Sequence, residues 1–213
     1  MTSKRYKYPR TPHLPWSPGA TPDDVITRVP DAFFAGPVVV TEKLDGENTS
    51  MYRDGVHARS LDSRHHPSRD WVKRLHGVIG YQIPEGFRLC GENMFARHSI
   101  AYEDLASYFY VFSIWDETNT CLSWEETKQW ASLLGVEVVP TLYEGPWDEE
   151  RIRGLTFDTD KVEGYVVRTA DAFNYAEFAD HIAKWVRTGH VQTDEHWMHG
   201  RVVPNGLREG GES

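Results

Sequence analysis

Residues 37–48 read PVVVTEKLDGEN, an apolar run that passes directly into a lysine and a tight Asp-Gly turn. The β-branched residues of the run predict a buried strand that ends at Lys43. A neutral lysine amine is a good nucleophile, so a lysine held at a strand end is a candidate for covalent chemistry. By itself the tetrapeptide at 43–46 also fits a surface lysine beside a hairpin turn. The segments that follow it favour the first interpretation, in which Lys43 takes part in covalent chemistry.

The composition limits what the chain can be. Its 213 residues suit one domain, and a net charge of −9 argues against binding nucleic acid through bulk charge. A polyanionic partner would therefore have to meet a local basic site. Cys90 and Cys121 fit neither a disulfide scaffold nor a zinc pattern. The sequence has no signal-peptide core and no apolar run of membrane-spanning length, so we expect a cytoplasmic protein that does not bind membranes.

The pattern along the chain predicts more strands than helices, with hairpins and no regular βαβ alternation, which indicates an α+β fold with largely antiparallel sheets. A cap at Thr21 followed by Pro22 predicts a helix over residues 21–34. A capping box at 123–126 predicts a helix that ends near Gly135. Other helices are expected at 67–79 and 146–155. Strands are expected at 37–43, 48–53, 56–60, 87–92, 108–115, 136–139, 162–168 and 182–187, and a frayed tail at 204–213.

Four later segments carry the chemistry. GENMF at 91–95 and EGYVVR at 163–168 each place a carboxylate at a strand end, YVFSIWD at 110–116 is an aromatic strand, and AKWVR at 183–187 supplies two cations. In this order, together with KLDG at 43–46, they resemble the motifs of covalent nucleotidyltransferases, the ATP-dependent RNA and DNA ligases and the mRNA capping enzymes. The resemblance covers about residues 37–188 and is closest to the RNA ligases typified by phage RNA ligase 2. The chain departs from that family's last motif, because Ile182 stands where the family usually has a lysine.

The resemblance implies a site. Lys43 would attack the α-phosphate of ATP to form lysyl–AMP, and Lys184 would assist as a second catalytic residue at the α-phosphate. A divalent cation, Mg²⁺ or Mn²⁺, would be held by Glu163. The nucleotide-binding residues implied are Glu42, Asn48, Arg59, Glu92, Phe112 and Lys184.

Physical chemistry adds an expectation for three of these residues. An ordinary lysine has a pKa of about 10.4. We therefore expect burial and nearby cations, such as Lys184, Arg59 or a bound metal, to lower the pKa of Lys43. Phe112 is expected to stack on adenine, or else to be only one face of a core strand. Arg59 is expected to reach the nucleotide, or else to be a solvated strand residue.

The implied fold is a nucleotidyltransferase (ATP-grasp-like ligase) core, α+β with largely antiparallel sheets and flanking helices. We expect an N-terminal basic arm at 1–20, an adenylyltransferase domain at 21–190, and a C-terminal tail at 191–213 with no OB-fold or other appended domain. His190, just before the tail, and His196 and His199 within it match no zinc-site spacing and suggest a docking segment.

The implied function is ATP-dependent ligation of RNA 3′-OH and 5′-phosphate ends, with RNA and ATP as partners and a protein partner that could supply end recognition. The alternatives are a DNA ligase, a guanylyltransferase, or a non-catalytic module that binds nucleotides or RNA ends.

Overall fold

The computed structural model describes residues 4–158, 161–189 and 201–209. In these ranges the strands are β1 (Pro37–Lys43), β2 (Glu47–Tyr52), β3 (Gly55–Ala58), β4 (Arg88–Asn93), β5 (Phe109–Trp115), β6 (Thr120–Cys121), β7 (Glu137–Val138), β8 (Thr141–Pro146), β9 (Gly164–Thr169), β10 (Phe173–Asn174) and β11 (Ile182–Val186). The helices are α1 (Ala32–Ala35), α2 (Asp70–Ile79), α3 (Trp124–Leu134), α4 (Glu149–Arg153) and α5 (Phe178–His181).

The strands form two sheets. The small sheet has the order β11-β9-β1-β8, and the large sheet has the order β10-β6-β5-β4-β2-β3, with β7 added parallel to β5. All other strand pairs are antiparallel. This confirms the predicted α+β class with largely antiparallel sheets.

Strand β1 is apolar because both of its faces are covered. Val38 and Val40 pack with Val167 and Ala183 in the core of the small sheet, while Val39 belongs to the core of the large sheet. All three valines are fully buried. Side chains alternate along a strand, so Lys43, which has the same parity as Val39, is directed toward the space between the sheets.

The turn after Lys43 links the two sheets and is not a hairpin, because β1 and β2 lie in different sheets. The carboxylate of Asp45 accepts hydrogen bonds from the backbone N–H groups of Ser99 and Ile100 and from the Ser99 hydroxyl. A Cβ at Gly46 would lie 2.6 Å from the carbonyl oxygen of Asn93, so the turn can pass β4 only with glycine here. The Asp-Gly pair thus fixes the turn against the large sheet.

The helix predicted over residues 21–34 is wrong except at its end, where α1 covers Ala32–Ala35. Asp24 folds back to accept hydrogen bonds from the N–H and hydroxyl of Thr21, which closes a turn. The next residues run beside His13, whose N–H donates to the carbonyl of Val25. Pro30 then disfavours helical backbone at the residue before it. Pairing with a distant segment therefore overrides the local helix signal.

The capping box of α3 is confirmed. The Ser123 hydroxyl accepts from the N–H of Glu126, the Glu126 carboxylate accepts from the N–H of Ser123, and Gly135 ends the helix in the left-handed conformation with φ 67°. Both signals are local in sequence, which is why they predict the element well.

The expectation of a frayed tail at 204–213 is wrong for residues 204–209, which pack on the loop that follows β4. Asn205 is buried and donates to the carbonyl of Met94, accepts from the N–H of Tyr102, and its own carbonyl accepts from the Tyr108 hydroxyl. The side chain of Asn205 thus provides hydrogen-bond partners for backbone groups of this loop. His190, His196 and His199 lie outside the described residues.

Alanine substitutions at two glycines are expected to change the free energy of unfolding in opposite directions. At the start of β9, which is an inner strand of the small sheet, a Cβ at Gly164 would lie 2.0 Å from the carbonyl oxygen of Trp185 on β11. We expect Gly164→Ala to separate β9 from β11 and to lower the free energy of unfolding by about 3 kcal/mol or more. A Cβ at Gly77, inside α2, would instead point into open space. Gly77→Ala should therefore raise the free energy of unfolding by about 0.5–1 kcal/mol.

Urea unfolding followed by circular dichroism tests both changes on the same scale. Equal midpoints for Gly164→Ala and the unchanged protein would contradict the close approach of β9 to β11.

Candidate active site

A cavity of about 340 Å³ opens between the two sheets. It brings together seven residues that the sequence nominates from five separate segments. The structure places all seven on the wall of this one cavity. They are Glu42, Lys43, Asn48, Arg59, Glu92, Phe112 and Lys184.

The eighth nominated residue, Glu163, lies next to Lys43. Lys43 pairs in the sheet with Gly164, the first residue of β9, so the side chain of the preceding residue reaches the lysine. Lys43 Nζ donates a short hydrogen bond to Glu163 Oε2. The side chain of Glu163 is 1% exposed and that of Lys43 is 24% exposed. The ion pair therefore lies at the edge of the cavity, with its acid buried.

The pKa of Lys43 is raised, so the expectation that it would be lowered is wrong. Burial does lower it, but the carboxylates of Glu163, Glu92 and Asp45 all favour the ammonium form and together outweigh burial. The expectation counted the cations of the site and left out its acids. In this state Lys43 is a charged, unreactive amine that needs another positive charge nearby to lose its proton.

Lys184 faces the same space as Lys43. It pairs with Val166 on β9, which in turn pairs with Thr41 on β1, so Lys184 and Lys43 project from the same side of the small sheet. Burial, and then the charge of Lys43, lower the pKa of Lys184 to about 8. Lys184 is thus a largely charged, partly desolvated ammonium at neutral pH, which suits an oxygen of a phosphate.

Glu92 and Asn48 form the opposite wall. They pair directly across β4 and β2, so their side chains leave the large sheet on one face. Burial raises the pKa of Glu92 to about 8, against the lowering effect of Lys43. Among the residues described, the buried Oδ1 of Asn48 has no hydrogen-bond partner. This wall therefore offers an acceptor amide and a carboxyl group that can accept or donate.

Phe112 reaches the cavity because the β4–β5 pairing slips by one residue between Cys90 and Gly91. Its ring is half-buried and meets the ring of Tyr8 edge-on, with centroids 5.1 Å apart. It packs against the core and also lines the cavity, so both interpretations of Phe112 remain compatible with its position.

Arg59 is half-buried rather than fully solvated, and its Nε donates to the carbonyl of Tyr8 at 3.4 Å. This position favours the interpretation in which Arg59 reaches a ligand in the cavity over that of a solvated strand residue.

The carboxylates of the site fit a divalent cation that binds together with a nucleotide. Within the described ranges no three His, Cys, Asp or Glu side chains are placed to hold a metal by themselves. Mg²⁺ is commonly held by one or two carboxylates together with substrate phosphates and water. Glu163 and Glu92, both beside Lys43, can supply that minimal set of oxygen ligands.

Several residues that line the cavity were not nominated from the sequence as nucleotide or metal ligands. Six of them belong to the N-terminal arm and to the turn after it: Tyr8, Pro9, Arg10, Thr11, Asp24 and Val25. The basic character of the arm was visible in the sequence. Its path was not, because no local pattern indicates which strand an extended segment will pair with.

Comparison with known proteins gives the family of the chain. The family model for RNA ligase matches residues 36–186. The chain belongs to the RNA ligase family. Among curated protein sequences, none matches the chain.

Solved structures of the RNA ligase of Naegleria gruberi share the fold. The structure with PPi has 23% identity and a TM-score of 0.54, covering 72% of this chain and 50% of that one. A point mutant with ATP and Mn has 22% identity and a TM-score of 0.53, covering 74% and 51%. A second point mutant, with AMP and Mn, has 21% identity and a TM-score of 0.52, covering 72% and 50%. The match thus spans about half the length of these solved chains.

The described residues contain no helix that is both long enough and apolar enough to span a membrane.

Proposed function

We propose that this chain is an ATP-dependent RNA ligase that joins RNA 3′-OH and 5′-phosphate ends through a lysyl–AMP intermediate. The observation that carries the proposal is the convergence of Lys43, Glu92 and Lys184 on one cavity, with Glu163 bonded to Lys43, in a chain of the RNA ligase family. The cavity volume is at the lower end of the range typical of small-ligand sites. Binding alone would not require a lysine and a buried carboxylate at its edge.

In the first step, the neutral amine of Lys43 attacks the α-phosphorus of ATP. A nitrogen–phosphorus bond forms, the bond from the α-phosphorus to the bridging oxygen breaks, and pyrophosphate leaves with the electron pair. Glu163 Oε2, already bonded to Nζ, is the nearest acceptor for the proton that Lys43 must lose. A bound divalent cation would supply positive charge that neutralises phosphate oxygens and favours the neutral amine.

The next two steps use the same lysine and an RNA substrate. An oxygen of the RNA 5′-phosphate displaces Lys43 from the AMP phosphorus, which gives an AMP-capped RNA end. The 3′-hydroxyl of the other end then attacks the capped 5′-phosphate, and AMP leaves. In sum, ATP and two RNA ends give joined RNA, AMP and pyrophosphate.

The remaining residues have roles that follow from their chemistry. Lys184 contacts the α-phosphate, because its ammonium projects beside Lys43. Glu92 and Asn48 hold ribose hydroxyls, and Phe112 stacks on adenine. Arg59 contacts a phosphate, and Glu42 accepts from the adenine amino group.

The two-sheet body would then be a nucleotidyltransferase core, with the adenylyltransferase domain at 21–190. We propose Mg²⁺ or Mn²⁺ as the metal, a cytoplasmic location, and a protein partner as one source of end recognition.

The experiment that tests the function follows label from nucleotide to RNA. Protein is first treated with pyrophosphate to remove any bound AMP, then given α-labelled ATP, GTP or NAD with Mg²⁺ and run on a denaturing gel. We expect label on the protein with ATP, and then transfer to an RNA strand with a 5′-phosphate and sealing to a 3′-OH RNA. Label from GTP alone would indicate a guanylyltransferase, and sealing only of DNA strands a DNA ligase. No label with any nucleotide would leave a non-catalytic binding module and overturn the proposal.

A further inference from the structure

We propose that Arg10, on the N-terminal arm, is the cation that contacts the pyrophosphate as it leaves the α-phosphorus of ATP during attack by Lys43. The inference rests on the proposed function, because it assigns a residue to the first step of that reaction. It adds a catalytic residue from a segment that lies outside the matched family region of residues 36–186.

The arm is fixed to the body just before Arg10. Tyr8 is buried, and its ring lies edge-on to Phe112 and to Phe178, with centroids 5.1 and 5.4 Å away. The Tyr175 hydroxyl donates to the carbonyl of Lys7 at 2.6 Å. An aromatic side chain and a backbone hydrogen bond therefore anchor this end of the arm.

The arm is also fixed just after Arg10. The N–H of Lys184 donates to the carbonyl of Pro12 at 2.9 Å, and the N–H of Leu14 donates to the carbonyl of Lys184 at 2.8 Å. Leu14 is fully buried in the core of the small sheet. The arm thus extends the small sheet beyond β11, at the residue that also contributes a cation to the cavity.

Between these two anchors, residues 9–11 form a short span across the cavity, and all three line it. Arg10 is exposed, and its Nη1 makes a long hydrogen bond of 3.4 Å to the carbonyl of Asp23. Because the backbone is held at both ends, binding of a ligand has to order only the side chain of Arg10. Arg10 is therefore presented at the mouth of the cavity and can reorient.

The other cations that line the cavity are engaged deeper in it. Lys43 pairs with Glu163, and Arg168 is buried with its guanidinium bonded to the carbonyls of Leu122 and Thr169. Lys43 and Lys184, side by side, serve the α-phosphorus.

Two further charged side chains of the cavity wall also have partners of their own. Arg59 donates to the carbonyl of Tyr8. Asp24, which lines the same wall as Arg10, accepts hydrogen bonds from Thr21 and lies 3.6 Å from His13 Nε2.

The chemistry of the first step calls for a cation at the mouth. As the bond from the α-phosphorus to the bridging oxygen breaks, negative charge grows on pyrophosphate, which stays outside the lysyl–AMP product. An arginine presents paired N–H donors that match phosphate oxygens. Later steps contain no pyrophosphate, so Arg10 should act on the first step alone.

The test separates the first step from the last. Three variants are compared with the unchanged protein: Arg10→Ala, Arg10→Lys and, as a matched control, Arg28→Ala, whose side chain is 80% exposed in a surface pair with Asp31. Each is assayed for lysyl–AMP formation from limiting ATP, for discharge of preformed lysyl–AMP by pyrophosphate, and for sealing of chemically AMP-capped RNA.

We expect Arg10→Ala to slow labelling about 10-fold or more, and discharge by pyrophosphate by the same factor, because both reactions cross the same transition state. Sealing of capped RNA should be unchanged. Arg10→Lys should lose less in both pyrophosphate reactions, and Arg28→Ala should lose nothing in any assay.

The outcomes distinguish a failure of the proposed function from a failure of the proposed role of Arg10. No label on the unchanged protein overturns the proposed function. Label on the unchanged protein with equal rates for Arg10→Ala and Arg28→Ala overturns the role of Arg10 and leaves the function intact. If Arg10→Ala also loses sealing, Arg10 acts on RNA or on the fold as well, and Arg10→Lys decides: unequal losses between the pyrophosphate reactions and sealing support the role, and equal losses overturn it.

Discussion

Lys43→Ala should leave no covalent AMP on the protein under conditions in which the unchanged chain is fully labelled. The amine is the atom that forms the bond, so its removal abolishes the step rather than slowing it. The measurement is incubation with α-labelled ATP and Mg²⁺ followed by a denaturing gel, which retains only covalent label.

Two further variants sharpen that result. Lys43→Arg keeps a positive charge beside Glu163 but lacks a nucleophilic amine, and it should be equally unlabelled. Lys161→Ala removes an exposed lysine, 79% accessible and near Asp158, and should be labelled normally. Label on Lys43→Ala would mean that another residue carries the nucleotide, and would contradict the assignment of Lys43.

Local patterns predict a large part of the fold. The apolar run at 37–43 and the capping box at 123–126 each contain their own signal, and the structure has a strand and a helix there. The helix predicted over 21–34 fails because residues near Val25 pair with His13, twelve positions away, and a local pattern carries no information about such a partner.

The prediction of the site also succeeds where it depends on local patterns and fails where it depends on contacts between distant segments. Five segments nominate residues that do share one cavity, because the strands that carry or precede them come from two sheets that face each other. The protonation of Lys43 was predicted with the wrong sign. It depends on the sum of charges from Glu163, Glu92 and Asp45, which come together only when strands from both sheets and the turn between them are in place. Burial and the distances between charges, and not residue types, decide a pKa.

Glu163→Gln is expected to have the second largest effect, and to change the pH dependence as well as the rate. The substitution keeps the shape of the side chain and removes the carboxylate that is the strongest of the acids favouring the Lys43 ammonium. It also removes the proposed metal ligand, so we expect labelling to fall about 10²- to 10³-fold at neutral pH. Glu144→Gln, at a carboxylate 48% exposed on β8, is the matched control and should label normally.

The pH profile distinguishes a role at Lys43 from simple loss of structure. In the unchanged protein, labelling should rise with pH, because the attacking amine must be neutral and its pKa is raised. Above about pH 8 the rise should flatten as Lys184, with its pKa lowered to about 8, loses its charge. Without the Glu163 carboxylate, the pKa of Lys43 falls, so the rising limb of the Glu163→Gln profile should move to lower pH by about one unit or more. The charge of Glu163 also raises the pKa of Glu92, so the two profiles are recorded again with Glu92→Gln in both proteins, where that group cannot titrate. A variant that loses rate with an unshifted rising limb would show that Glu163 does not control the protonation of Lys43, and that its bond to the lysine serves only the packing between β1 and β9.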